Sequence, residues 1–175
     1  LPSDRTIVVE RFRDEIGDWR IVILSPFGAR VHAPWAMALA GRLRGGGDRT
    51  VDVIWGDDGI ALRFPDQDDI PTSTDLLIEP EEIESELVEQ LADTAMFAAR
   101  FREAAARSLL LPRRRPGKRT PLWLQRRRAG DLLGIVRRFG SFPIVLETYR
   151  EILQDDFDLP ALIQLLGDVR SRKIR

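Results

Sequence analysis

The chain has 175 residues, with 27 Lys+Arg against 28 Asp+Glu, no cysteine and one histidine. Without cysteine there are no disulfides, thiol nucleophiles or cysteine-ligated zinc and iron–sulfur centres, and His32 alone cannot build a multi-histidine metal site. Hydrophobic residues at 43% and charged residues at 31% describe a foldable globular chain; with no apolar run near the roughly 20 residues of a bilayer span and no signal-peptide pattern, no membrane partner and a cytoplasmic location are expected.

Residues 6–13 alternate Ile7, Val9 and Arg11 against Val8, Glu10 and Phe12, which reads as a strand, and Gly17 marks the turn to a returning strand over 19–24. Ser25-Pro26-Phe27-Gly28 stops that strand, since proline cannot donate in a ladder. Pro34 is expected to open a helix, where proline is tolerated in the first turn, with Trp35, Leu39 and Leu43 as its stripe and Gly45-Gly46-Gly47 as its end. Residues 51–55 and 60–64 flank Gly56-Asp57-Asp58-Gly59, a strong hairpin signal. A polar, proline-spaced stretch follows. From Pro80 onward the periodicity is helical: Ile83, Leu87 and Leu91, then Phe97, Phe101, Ala104 and Ala105 behind a cap at Asp93 or Thr94. Further helices are predicted over 122–139 (Ala129, Leu132, Leu133, Val136), over 143–154 (Val145, Tyr149, Ile152, Leu153), and from the cap Asp158 with Pro160 in the first turn.

The fold class this predicts is α+β: a small antiparallel β-sheet with one inserted helix, in the order strand, strand, helix, strand, strand, followed by a helical array. The expected division is a β-rich subdomain over 1–65, an acidic linker over 66–79 and a helical subdomain over 80–175. Both ends read as cut from something larger.

The near-zero net charge conceals a separation. Residues 57–93 hold thirteen carboxylates against Arg63 alone, and residues 100–128 hold eleven cations against Glu103 alone. Lysine occurs only at Lys118 and Lys173, so the cations are arginines, which offer bidentate phosphate contacts and stacking that lysine does not. A GC-rich coding sequence is the competing explanation for that preference. If the two blocks pair inside one fold, Glu82, Glu86 or Glu89 should lie near arginines of 100–128.

Most catalytic patterns fail. Gly117-Lys118-Arg119-Thr120 is the nearest approach to a phosphate-cradling loop, but its first glycine falls at Pro112, the threonine is one position late and no strand precedes it. Asp14-Glu15-Ile16 superficially matches the acidic motif of helicase ATPases, yet sits in a hairpin turn. His32 is a general-base candidate, outweighed by a capping or packing role at a helix start. The acidic run 66–69 lacks the alternating ligands and closing glutamate of a calcium loop. No catalytic residue, cofactor site or metal site is expected. What survives is a basic constellation, Arg113, Arg114, Arg115, Lys118, Arg119, Arg126 and Arg127, with Trp123 inside it. Cations neutralise backbone phosphates, and an aromatic among them offers an unpaired base a stacking surface. Internal pairing with the acidic block, and Trp123 as a core side chain, remain the alternatives.

Several stretches are long and unusual. They include Trp19-Arg20-Ile21-Val22-Ile23-Leu24-Ser25-Pro26-Phe27-Gly28, Val31-His32-Ala33-Pro34-Trp35-Ala36, Trp55-Gly56-Asp57-Asp58-Gly59-Ile60, Ser108-Leu109-Leu110-Leu111-Pro112-Arg113-Arg114 and Phe142-Pro143-Ile144-Val145-Leu146-Glu147-Thr148-Tyr149. Together they resemble the DEAD/H-associated region of large helicase-related (Lhr-type) proteins, over nearly the whole chain. The resemblance implies an accessory domain of a superfamily 2, ATP-dependent 3′–5′ DNA helicase acting in DNA repair, helping to enclose single-stranded DNA or a DNA–RNA hybrid. It implies RecA-like motor and winged-helix domains of the same chain as partners, with ATP and Mg in the motor domains. The phosphate loop, acidic motor motif and arginine finger of that family are absent here, so no catalytic residue carries over. The competing expectation is a structural clamp that braces the motor and winged-helix domains without touching DNA.

Overall fold

The computed structural model describes residues 1–45, 50–65, 70–72, 74–108, 110, 121–136 and 142–175. The helix-ending Gly46 and Gly47, the acidic run 66–69, the loop containing Arg113, Arg114, Arg115, Lys118 and Arg119, and the predicted helix end at 137–140 lie outside the described residues. The fold is α+β, in the order β1 (Val8–Arg13), β2 (Trp19–Leu24), α1 (Ala29–Gly45), β3 (Asp52–Gly56), β4 (Gly59–Phe64), α2 (Ile83–Leu91), α3 (Ala95–Arg107), α4 (Leu122–Val136), α5 (Pro143–Glu151), a π-helical turn over Ile152–Asp156, and α6 (Leu159–Arg170). Two compact units result, one of residues 1–90 and 157–175, the other of residues 91–156.

In the first unit the four strands form an antiparallel sheet ordered β1-β2-β4-β3. Val8 pairs with Leu24, Trp19 with Phe64, and Asp52 with Arg63. Period-2 alternation puts Ile21, Ile23, Ile60, Leu62 and Phe64 on the buried face, and α1 lies against β3 and β4. The opposite face carries half-buried Val22, Leu24 and Ala61 and exposed Ile54.

The inserted helix begins five residues before the expected Pro34, which lies inside it. Two long-range contacts explain the difference. The Asp57 carboxylate accepts the Ala29 N–H at 3.0 Å, supplying the cap that Gly28 lacks a side chain to make. Pro34 has no N–H to offer the Arg30 carbonyl, and that carbonyl accepts the Asp158 N–H instead, at 3.0 Å. Asp158 is also the N-cap of α6, its side chain accepting from the Ala161 N–H, so the proline position in α1 is where α6 docks. Behind it, the Ile7 N–H donates to the Arg175 carbonyl at 2.7 Å and the Arg175 N–H to the Arg5 carbonyl at 3.1 Å.

The acidic block finds partners within this unit. Arg42 donates to Glu82 at 2.7 Å and Glu86 at 2.9 Å, and Arg170 reaches Glu81 at 2.7 Å and Glu79 at 3.1 Å. The Arg170 hydrogen bond holds the Glu81 carboxyl below its ordinary pKa. Glu82 and Glu86, expected beside arginines of 100–128 if the blocks paired, thus serve an arginine of α1; helix packing chose a partner that sequence proximity did not.

The second unit is helical. Thr94 caps α3 by accepting the Phe97 N–H at 3.1 Å, and Phe97, Phe101, Ala104 and Ala105 are buried. Phe97 meets the Tyr149 ring of α5 at 4.5 Å between centroids. The expected helix over 143–154 ends as α-helix at Glu151 and widens into the π-helical turn. Asp156 closes that turn by pairing with Arg100, Nε to Oδ2 at 2.7 Å, while Arg100 also reaches Glu103 at 2.9 Å; these bonds raise the Arg100 pKa. Arg107 pairs with Glu151.

At one glycine a backbone contact adds to the strain of a positive φ. Gly59 has φ +151°, and a Cβ there would lie 2.0 Å from the Ile23 carbonyl oxygen across the β2–β4 pair. Gly59→Ala is expected to destabilise the fold by roughly 3 kcal/mol, combining backbone strain with a steric clash, measured as a lowered urea midpoint. An unchanged midpoint would refute the close approach.

Candidate nucleic-acid interface

Helix α4 starts where the Pro121 carbonyl accepts the N–H groups of Leu124 at 3.1 Å and Gln125 at 3.2 Å. Ala129 and Leu133, four apart, are buried and anchor the helix in its unit. Trp123, Arg126, Arg127 and Gly130 fall at i, i+3, i+4 and i+7, so they share one side of the helix. Trp123 is 62% exposed, and Arg126, Arg127 and Arg128 are exposed. Trp123 is therefore a surface ring in this chain, not the core side chain of the alternative expectation. Of the predicted site residues, α4 brings Trp123, Arg126 and Arg127 together; Arg113, Arg114, Arg115, Lys118 and Arg119 lie outside the described residues.

The basic block divides by partner. Arg100 and Arg107 are engaged by Asp156, Glu103 and Glu151. Among the described residues, Arg102, Arg126, Arg127 and Arg128 have no hydrogen-bond or ion-pair partner, and α4 offsets its three arginines only with Asp131. Arg102 belongs to α3, where Ala95, Ala98, Ala99 and Arg102 also recur at i, i+3, i+4 and i+7. This stripe and Arg126, Ala129, Gly130 and Leu133 of α4 line one open cleft of about 410 Å³. Runs of consecutive arginines drew the sequence reading to 113–128; Arg102, isolated between Phe101 and Glu103, gave no such signal. The helical spacing of three small residues before it could have.

The other catalytic candidates are spent on structure. Asp14 organises the β1–β2 turn: its Oδ1 accepts from the Ile16 and Asp18 N–H groups at 3.1 and 3.0 Å, and its Oδ2 accepts from Arg20 at 2.7 Å. His32 is fully buried. Its Nδ1 lies 2.7 Å from the Gly56 carbonyl and its Nε2 2.9 Å from the Ser25 hydroxyl. A carbonyl only accepts, so Nδ1 carries a proton toward Gly56, and in the neutral ring Nε2 then accepts from the Ser25 hydroxyl. That chain of bonds imitates a nucleophile–base–orienter series, but Ser25 is also fully buried and meets no substrate; it pins α1 to the β3–β4 hairpin. No cluster of three or more potential metal ligands occurs among the described residues, and none of their helices is long and apolar enough to cross a membrane.

A family model described as DEAD/H associated matches residues 1–175. The chain belongs to the DEAD/H associated family. Its relatives include "Lhr helicase/ probable uracil glycosylase" of Mycolicibacterium smegmatis, 52% identical over 100% of this chain and 12% of the relative. "Lhr helicase/uracil glycosylase" of Escherichia coli is 50% identical over 100% of this chain and 11% of the relative. "ATP-dependent helicase Lhr-Core" of Methanothermobacter thermautotrophicus is 31% identical over 98% of this chain and 20% of the relative. A solved structure, Mycobacterium smegmatis helicase Lhr bound to ssDNA and AMP-PNP, superposes with a TM-score of 0.83 at 51% identity, covering 100% of this chain and 22% of that one. The DEAD/H associated chain thus spans a small part of the Lhr-type proteins it resembles.

The different environments of Trp123 and His32 give a stability test. Trp123→Ala is expected to leave the unfolding free energy within about 0.5 kcal/mol of the parent, as for surface residues. His32→Ala should cost about 2–4 kcal/mol, from a cavity and the buried Ser25 hydroxyl left unpaired. Chemical denaturation of the two variants reads both; a large loss on Trp123→Ala would return that ring to the core.

Proposed function

We propose that this chain is the accessory domain of an ATP-driven 3′–5′ DNA helicase, and that it helps enclose single-stranded DNA during translocation. The observation that carries the reading is α4, where an exposed tryptophan stands beside arginines without protein partners. Guanidinium groups bind successive phosphates while an indole stacks on an unpaired base, worth roughly 1–3 kcal/mol per base and tolerant of sequence. The domain supplies no chemistry of its own. On this reading it forms one wall of the channel, partnered by RecA-like motor and winged-helix domains of the same polypeptide, with ATP and Mg held in the motor domains. A DNA–RNA hybrid, whose tracking strand presents the same backbone, is an equally acceptable partner. The setting is cytoplasmic DNA repair.

The second reading is a structural clamp that braces neighbouring domains without touching DNA. What favours it is the open sheet face, where Ile54 is 67% exposed beside Val22, Leu24 and Ala61, an apolar surface of the kind that packs against protein.

An anisotropy titration with a fluorescent oligothymidylate separates the two. Single-strand binding is expected to be weak, since the other walls are missing, and steeply salt-dependent with little sequence preference. Trp123→Ala should weaken binding with the salt slope unchanged, because stacking releases no counterions. No binding at low salt would remove the DNA role and leave the clamp.

The chain by itself is also expected to show no ATP hydrolysis, because phosphoryl transfer depends on positioning elements that its sequence lacks. A hydrolysis rate above background that disappears on Lys118→Ala would overturn this.

A further inference from the structure

The α3–α4 cleft has the makings of a defined subsite. Its lining includes Ala95, Ala98, Ala99, Ala129 and Gly130, whose short side chains leave space between the two helices, and Leu133. Two cations line it, Arg102 from α3 and Arg126 from α4. Arg102 is half-buried, so part of its hydration is already lost, yet among the described residues neither guanidinium has a carboxylate or carbonyl partner. Arg100 and Arg107 on the same helix α3 are both paired. Two like charges facing one cleft repel unless an anion sits between them, and a guanidinium fork suits the oxygens of a phosphate. Gly130 belongs to the side of α4 that presents Trp123, seven residues earlier, so a strand stacked on that ring runs past the mouth of the cleft.

We propose that the α3–α4 cleft is a backbone-phosphate site, in which Arg102 and Arg126 hold one phosphodiester of the single strand whose base stacks near Trp123. The proposal rests on the single-strand reading given above and adds a residue, Arg102, and a location to it. Recognition is of the phosphodiester charge alone. Nothing in the cleft reads a base edge, so it contributes affinity and register without sequence preference.

Gly130 provides a test that leaves both arginines in place. A Cβ added there meets nothing within 4 Å, and replacing a mid-helix glycine tends to favour the helix. Gly130→Glu introduces an anion at the cleft and Gly130→Arg a third cation. The chain and its variants are titrated with a fluorescent oligothymidylate across a potassium chloride series, with melting temperatures recorded in parallel. Gly130→Glu should weaken binding roughly tenfold, comparable to losing one charge-assisted contact, and Gly130→Arg should tighten it. A folding defect would weaken both, so opposite signs from one position report on charge in the cleft. Arg102→Ala and Arg126→Ala should each lower the salt slope, and the double variant should lower it by about 0.7 in all, the signature of one single-strand phosphate contact.

A competition arm distinguishes a nucleic-acid phosphate from a free one. Inorganic phosphate should displace the oligonucleotide no better than chloride at equal ionic strength. If it displaces the oligonucleotide specifically from the parent and not from Arg102→Ala, the cleft is a free-anion site and the proposal falls. Binding that is lost on Trp123→Ala but indifferent to Gly130→Glu, Arg102→Ala and Arg126→Ala overturns the cleft while sparing the single-strand reading. Absence of binding by the parent chain at low salt overturns both.

Discussion

The first unit turns on a missing hydrogen bond. A proline within a helix leaves the carbonyl four residues earlier without its donor, at a cost of about 3 kcal/mol when nothing compensates. In α1 that carbonyl belongs to Arg30, and the Asp158 N–H occupies it. The same residue caps α6 with its carboxylate, so one amino acid satisfies orphaned groups on two helices. Beside it, the Arg30 guanidinium reaches the Phe157 carbonyl at 3.3 Å. These bonds bring the final segment back to the unit in which the chain began. They make residues 91–156 an insertion whose two ends both return to the sheet-bearing unit. The Ser25–His32–Gly56 series fastens the same helix to the hairpin on its other side. Helix α1 is therefore held by backbone groups it could not satisfy alone, and its proline is a docking point instead of a flaw.

Charge is distributed by a comparable logic. Carboxylates of 79–86 converge on Arg42 and Arg170, where two acceptors share each guanidinium. Such exposed pairs contribute about 0–1 kcal/mol each and mainly orient the elements that carry them. In the second unit Asp156 and Glu151 serve Arg100 and Arg107. Among the described residues of that unit, this leaves the arginines of α4, and Arg102 lining the same cleft, as cations that the fold does not consume. The helix fixes where such a cation is anchored and leaves its charge available to an external anion, although ordering the flexible side chain on binding still costs about 0.5–1.5 kcal/mol.

How much of this was legible beforehand varies with how local the cause is. Strand β2 falls at 19–24 as the alternation of Ile21 and Ile23 and the stop at Ser25-Pro26 require, and Thr94 and Asp158 are the caps their sequences announce. Local chemistry decided each of these. The start of α1 was misplaced because its cap, Asp57, lies in a hairpin 28 residues later, and because the carbonyl freed by Pro34 finds a donor beyond residue 150. The π-helical turn was missed for a similar reason: Ile152 and Leu153 keep helical spacing, and only the Arg100–Asp156 pair shows where the backbone widens. At the candidate interface, Trp123, Arg126 and Arg127 were identified by being clustered in sequence. Arg102 was overlooked because its neighbour in the cleft, Arg126, stands 24 positions away and the relation exists only once two helices pack.

On the proposed reading, a wall of three or four arginines and one indole holds a single strand weakly, and weakness is the useful property. A domain that gripped each phosphate tightly would resist translocation, since every step requires its contacts to break and re-form one nucleotide along. Identical phosphates, spaced along the strand, make the bound and stepped states equal in energy, and stacking on Trp123 is indifferent to which base arrives. Affinity for the strand then comes from joining several weak walls in one polypeptide. Each wall acts at the high effective concentration set by the others, and the strand stays enclosed although no single contact is held for long. The proposed phosphate site fits that scheme because its cations would meet a charge that every nucleotide carries. A base-reading site in the same place would stall at each favourable sequence.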